Sequence, residues 1–101
     1  MIGIIWYTDK AKGIREFNHI LESYELCGIE PANSRAIQIQ EHTSTATFKN
    51  GDIWRLVRAS DSSRGYRCNV AYIPKGIAEE YLNLIIMPAT VMHPFTAFHY
   101  Y

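Results

Sequence analysis

The feature that most constrains this chain is Asn50-Gly51, set in Lys49-Asn50-Gly51-Asp52 between two runs that read as strands. These are Thr43-Ser44-Thr45-Ala46-Thr47-Phe48 and Ile53-Trp54-Arg55-Leu56-Val57. Asn-Gly is the favoured centre of a type I′ turn, because both of its residues accept positive φ and the turn's twist matches that of the strands it joins. A loop made of those two residues pairs Phe48 with Ile53 and Thr47 with Trp54. That register leaves large apolar side chains on both faces of the hairpin, so both faces need cover.

The cover is legible on either side of it. Ile2-Gly3-Ile4-Ile5-Trp6-Tyr7 is a continuous apolar run, the pattern of a strand buried on both faces. After Thr8-Asp9, which offers a helix cap, Ile14, Phe17, Leu21 and Tyr24 recur at helical spacing. Gly28 supplies the left-handed end of that helix, with Ile29 folding back towards Tyr24 and Pro31 preventing continuation. Ala36-Ile37-Gln38-Ile39-Gln40 alternates like an edge or half-exposed strand. Residues 59–65 are polar and turn-rich, and Cys68-Asn69-Val70-Ala71-Tyr72-Ile73 reads as another buried strand ended by Pro74. Residues 77–87 form a second short helix that Pro88 is expected to close, with Glu79 and Glu80 suiting its first turn. Thr90-Val91-Met92 is a candidate short strand. The order of elements predicts a small single α/β domain over residues 1–101: a central β-sheet with an Asn-Gly hairpin and two covering helices. Residues 89–101, with Phe95, Phe98, His99, Tyr100 and Tyr101, are expected to act as an aromatic interaction tail.

With 101 residues, 48% of them hydrophobic and 20% charged, the chain suits one globular core. Cys27 and Cys68 are too few for a disulfide framework and read as reduced thiols packed as small hydrophobes. The N-terminal apolar run is too short for a signal peptide and lacks preceding basic residues, and no stretch is long enough to span a bilayer. A cytoplasmic protein with no membrane partner is the expectation.

Ten Lys plus Arg balance ten Asp plus Glu, which excludes a generally basic nucleic-acid coat. The balance is uneven along the chain. Residues 49–75 hold Lys49, Arg55, Arg58, Arg64, Arg67 and Lys75 against Asp52 and Asp61, an excess of four positive charges. The first 48 residues hold four basic and six acidic residues, an excess of two negative charges. Arg64 and Arg67 flank a glycine in a polar loop leading into a strand, where guanidinium forks and backbone amides can jointly hold phosphate. Trp54, Tyr66 and Tyr72 lie close by in sequence as surfaces on which a base can stack. The expected ligand-binding set is Arg58, Arg64, Tyr66, Arg67, Asn69 and Trp54, the alternative being solvated arginines of a sheet edge or a subunit contact. No metal or cofactor is expected: His19, His42, His93 and His99 fall at no ligand spacing with one another or with the cysteines. Ser60, Ser62 and Ser63 lack a nucleophile elbow, and no glycine-rich phosphate loop leads into Lys-Ser or Lys-Thr.

The segment Thr47-Phe48-Lys49-Asn50-Gly51-Asp52-Ile53, followed by Ala59-Ser60-Asp61-Ser62-Ser63-Arg64-Gly65-Tyr66-Arg67 and then Val70-Ala71-Tyr72-Ile73, resembles the ATPase domain of the large terminase subunits of tailed phages. In that family such a hairpin leads through an Arg-Gly loop to the Walker B strand. Ile2 to Tyr7 with the helix after it, and the helix ending near Pro88, are similar to the family's flanking elements, so the resemblance covers roughly residues 2–91. Two departures limit what it implies. Pro74-Lys75 stands where the family has metal-binding acids, and the Walker A strand, loop and helix are missing. The resemblance therefore implies a non-enzymatic phage protein that has kept a place for an anionic ligand: a nucleotide, or a nucleotide signal of a bacterial immune system. The competing expectation is a protein–protein interaction module, self-associating or binding a host protein through its aromatic tail.

Overall fold

The computed structural model describes residues 1–39, 43–60, 66–90 and 97–101. Within them the chain forms strands β1 (Ile2–Tyr7), β2 (Ile37–Gln38), β3 (Thr43–Thr47), β4 (Ile53–Arg58), β5 (Val70–Ile73) and β6 (Ala97–Tyr100). Helix α1 spans Lys10–Leu26, and a second helical segment runs through α2 (Glu79–Tyr81), a π-helical stretch (Leu82–Ile86) and α3 (Met87–Ala89). The strands make one mixed six-stranded sheet in the order β2-β3-β4-β1-β5-β6. β1 lies at its centre, parallel to β4 on one side and β5 on the other, and β6 adds parallel to β5. The sequence expectation of a small α/β domain with a central sheet and covering helices is met.

The two helical segments take opposite faces. On one, Phe17 of α1 packs with Ile5, Tyr7, Ala46, Phe48, Trp54 and Leu56. On the other, Ile86 and Ala89 pack with Ile4, Trp6, Val57, Ala71 and Ile73. Successive strand residues alternate faces, so the unbroken apolar run of β1 feeds both layers and its residues Ile4, Ile5 and Trp6 are fully buried. Helix α1 begins where its sequence indicates, with the Asp9 side chain accepting hydrogen bonds from the Ala11 and Lys12 amides. It ends in a Schellman motif at Gly28: the Gly28 amide donates to the Glu25 carbonyl at 3.0 Å and the Ile29 amide to the Tyr24 carbonyl at 2.9 Å.

The hairpin corrects the expected register and turn. β3 and β4 are antiparallel, but Thr47 pairs with Ile53 and Ala46 with Trp54. The Phe48 amide donates to the Asp52 carbonyl and the Gly51 amide to the Phe48 carbonyl, both at 3.0 Å. The loop thus has three residues, and only Gly51 takes a positive φ, 92°, so the turn is not type I′. The physical reason is a matter of faces. A two-residue loop puts Phe48 and Trp54 on opposite sides of the sheet, whereas a loop one residue longer brings them together under α1.

Two further expectations are revised. Pro88 does not close the second helix, which continues through Ala89. The Met87 amide has already reached back five residues to the Leu82 carbonyl, so the regular ladder is broken just before the proline and its missing N–H disrupts nothing more. Thr90 is the cap of that helix, donating its hydroxyl to the Met87 carbonyl at 2.8 Å, rather than the start of a strand. Val91 and Met92 lie outside the described residues. Phe98, His99 and Tyr100 extend the sheet as part of its outer strand β6, with Phe98 and Tyr100 exposed and the Tyr101 hydroxyl donating to the Trp6 carbonyl, while Phe95 lies outside the described residues. Among the described residues, no helix is long and apolar enough to cross a membrane.

Candidate functional site

The residues expected to form one ligand site are divided by the sheet. Trp54 is 4% exposed, its indole N–H donates to the Tyr24 hydroxyl at 2.9 Å, and its ring meets Tyr72 edge-on. It belongs to the core under α1. Asn69 is a structural clamp: its side-chain oxygen accepts from the Ile2 amide at 2.9 Å, and its own amide donates to the Ile2 carbonyl at 2.7 Å. Arg58 ends β4 opposite Tyr7. It is separated from the start of β4 by five residues, about 17 Å of extended chain. Arg64 lies outside the described residues.

Tyr66 and Arg67 remain, and the fold supplies them with a partner from β4. Arg55 pairs across the sheet with Ile4, so its side chain stands on the face opposite α1, beside those of Ile53 and Ile2. Its guanidinium carbon lies 6.0 Å from the centre of the Tyr66 ring, a cation–π arrangement. Arg67 donates from Nη1 to the Tyr66 carbonyl at 3.4 Å. Together with Ile2 and Ile53, these three residues line a cavity of about 260 Å³ at the amino ends of β1 and β4. Its described lining contains two guanidinium groups and no carboxylate. Among the described residues neither arginine forms an ion pair.

No protein-family profile, curated protein or solved structure matches the chain.

An open α/β sheet commonly binds ligands at the carboxyl ends of its strands, where the connections diverge to opposite faces. Here that place is between β1 and β5, where a crevice of about 200 Å³ is lined by Thr8, Asp9, Lys12, Pro74, Lys75 and Tyr101. Its chemistry suits an anion less well. The Asp9 carboxylate already takes the α1 amides that would otherwise face a ligand. The two sites therefore differ in charge balance: among the described lining residues, arginines alone at the amino end and two lysines partly offset by a carboxylate at the carboxyl end.

Arg55 is the member that sequence reasoning omitted. The signal was present in Ile53-Trp54-Arg55-Leu56-Val57, where an arginine interrupts an otherwise apolar strand. Such a residue must find a partner on its own face of the sheet, and face follows from register, not from nearness in sequence. Among the described residues no three His, Cys, Asp or Glu side chains gather as a metal site. The cysteines are unbridged, Cys27 exposed and Cys68 buried.

Proposed function

We propose that this protein binds a phosphate-bearing ligand, a nucleotide being the leading class, against Arg55, Tyr66 and Arg67. The observation that carries the reading is the placement of Arg55. A guanidinium in the interior of a sheet strand normally answers a carboxylate, yet this one lies over an aromatic ring in a cavity whose described lining holds no acid. The cation–π contact with Tyr66 uses the face of the guanidinium charge and leaves its N–H groups for a bidentate oxyanion. Arg67 brings a second positive charge to the same anion. Pockets that enclose drug-sized ligands run to ~300–1,000 Å³, so a cavity of about 260 Å³ takes the phosphate end of a nucleotide and leaves the remainder outside. The described lining offers hydrogen-bond donors and no thiol, imidazole or carboxylate, which favours holding a ligand over transforming it.

Isothermal titration with ATP, a cyclic dinucleotide and inorganic phosphate at low salt tests the reading. Binding of at least one of them is expected, weakened about 10- to 100-fold by Arg55→Ala, as follows from removing a charged hydrogen-bond donor. No binding up to millimolar ligand, or binding unaltered in both Arg55→Ala and Arg67→Ala, overturns it.

A further inference from the structure

We propose that β6 is a self-pairing edge: two copies of this chain join antiparallel along it, about a two-fold axis at His99, and make one continuous sheet. The surface uses none of the residues of the anion site.

The main chain sets the geometry. The Ala97 amide donates to the Asn69 carbonyl at 2.9 Å, the Tyr101 amide donates to the Ile73 carbonyl at 3.0 Å, and the Tyr101 carbonyl accepts from the Lys75 amide at 2.7 Å. Along a strand the N–H and C=O groups of alternate residues point to the same side. Ala97, His99 and Tyr101 therefore face β5, while Phe98 and Tyr100 turn both groups outwards. Among the described residues β6 pairs with β5 alone, and the outward groups of Phe98 and Tyr100 have no partner. All four residues of the strand are exposed.

The side chains choose the occupant. Phe98 pairs with Ala71 and Tyr100 with Ile73, so both aromatics stand on the face that the second helical segment covers. Phe98 is 39% and Tyr100 54% exposed, and Leu84 and Met87 of that segment are exposed as well. Edge strands are ordinarily guarded by charge, proline or a bulge. Residues 97–101 run Ala-Phe-His-Tyr-Tyr in unbroken register, with none of these guards. In an antiparallel pair centred on His99, Phe98 of each copy stands opposite Tyr100 of the other, and each such pair exchanges both of its N–H···O bonds. Every outward group of the two residues is then used. Opposite residues share a face, so the four rings gather as cross-strand aromatic pairs. His99 lies on the other face, its ring 4.8 Å from that of Tyr72. A two-fold axis needs a surface that complements itself, and with histidine neutral this strand sets no like charges together. Aromatic side chains bury ~150–250 Å² each, so four rings of this exposure supply roughly 300–450 Å² against the ~1,200–2,000 Å² of a stable interface. The dimer is therefore reversible.

The test uses the full chain. Sedimentation equilibrium from micromolar to millimolar protein is expected to show monomer and dimer in exchange. Tyr100→Lys is expected to weaken the dimer at least 10-fold, and so is Tyr100→Pro, because proline there removes an N–H that faces away from β5. Two controls, Leu26→Lys at the end of α1 and Ile37→Asp on the opposite edge strand β2, leave it unchanged. All three positions are exposed, and circular dichroism reports folding; Phe98→Lys serves if a Tyr100 variant does not fold. The axis is tested by diamide oxidation in a Cys27→Ser background. Opposite residues of a non-hydrogen-bonded pair lie ~4.5 Å apart at Cα, within reach of a disulfide, so His99→Cys is expected to link two chains at least 10-fold faster than Phe98→Cys. Four results overturn the proposal: monomer alone at millimolar concentration, a dimer unaltered by both Tyr100 variants, equal weakening by Ile37→Asp or Leu26→Lys, or cross-linking as fast at Phe98→Cys as at His99→Cys.

Discussion

Replacing Tyr24 by Phe tests how the hairpin is fastened to α1. The Tyr24 hydroxyl donates to the Asp52 carboxylate at 2.6 Å and accepts the Trp54 indole N–H at 2.9 Å. Asp52 also receives the chain's α-amino group at 3.2 Å and the Asn50 side-chain amide at 3.1 Å. Removing one oxygen keeps the ring, its volume and its stacking on Phe48, whose centre lies 3.9 Å away. What is lost is an acceptor for a donor on an almost fully buried residue, which costs about 1–3 kcal/mol. The Asp52 carboxylate is partly exposed and regains water, so its share is small. A total of about 2 kcal/mol, at 4–8 °C per kcal/mol for a domain of this size, lowers Tm by about 8–16 °C. Thermal melts followed by circular dichroism, with urea unfolding followed by tryptophan fluorescence, measure it. A Tm within 2 °C of the parent protein's at neutral pH refutes the reasoning, because the indole would then have lost nothing.

Three further outcomes are expected. A methyl group added at Gly3 would lie 2.4 Å from the Trp54 ring, so Gly3→Ala should destabilise by about 1–3 kcal/mol in urea melts. That cost should largely vanish in a Trp54→Leu background; an equal cost in both backgrounds refutes the contact. Burial pushes the Asp52 carboxyl up, but the hydrogen bonds from Tyr24, the α-amino group and Asn50 outweigh it and hold the group below its ordinary 3.8. A carboxyl lowered by folding stabilises the protein above its unfolded value and loses that contribution as pH falls through the folded one. The Tm difference between parent and Asp52→Asn proteins should therefore shrink progressively as pH falls from 3.8 through the lower folded value, and a difference that does not shrink over that fall contradicts the sign. Burial also raises the Cys68 thiol to about 11, so iodoacetamide at pH 8 should modify one thiol per native chain, at the exposed Cys27. Rapid labelling of both would show that the core around Cys68 opens.

The elements were more legible than their assembly. The apolar run of β1, the cap residues of α1 and the aliphatic helical face at Phe17 each carry a local rule that the structure obeys. Register is not local. Whether Phe48 shares a face with Ile53 or with Trp54 depends on α1, distant in sequence, which rewards placing both aromatics beneath Tyr24. The candidate site shows the same division. Arg67 and Tyr66 could be named because they neighbour each other in sequence, whereas Arg55 joins them only through the pairing of β4 with β1. Trp54 and Asn69 looked chemically suited to a ligand, and both spend their polar atoms inside the fold. An indole or amide signals a need for a partner, and its sequence neighbourhood does not say whether the partner is a ligand or another strand.

The central place of β1 has a consequence for how the chain comes to be folded. Ile2 is paired with Ile53 and Gly3 with Val70, separations of 51 and 67 residues. During synthesis at roughly 5–20 residues per second, the most apolar segment of the chain waits about 3–10 s for its first strand partner. Among the described elements, the one that packs on β1 in that interval is α1. Chaperone demand and aggregation in the cell should therefore be set by the interval before residues 53–73 leave the ribosome, and slowing translation within residues 30–50 should lower the yield of folded protein.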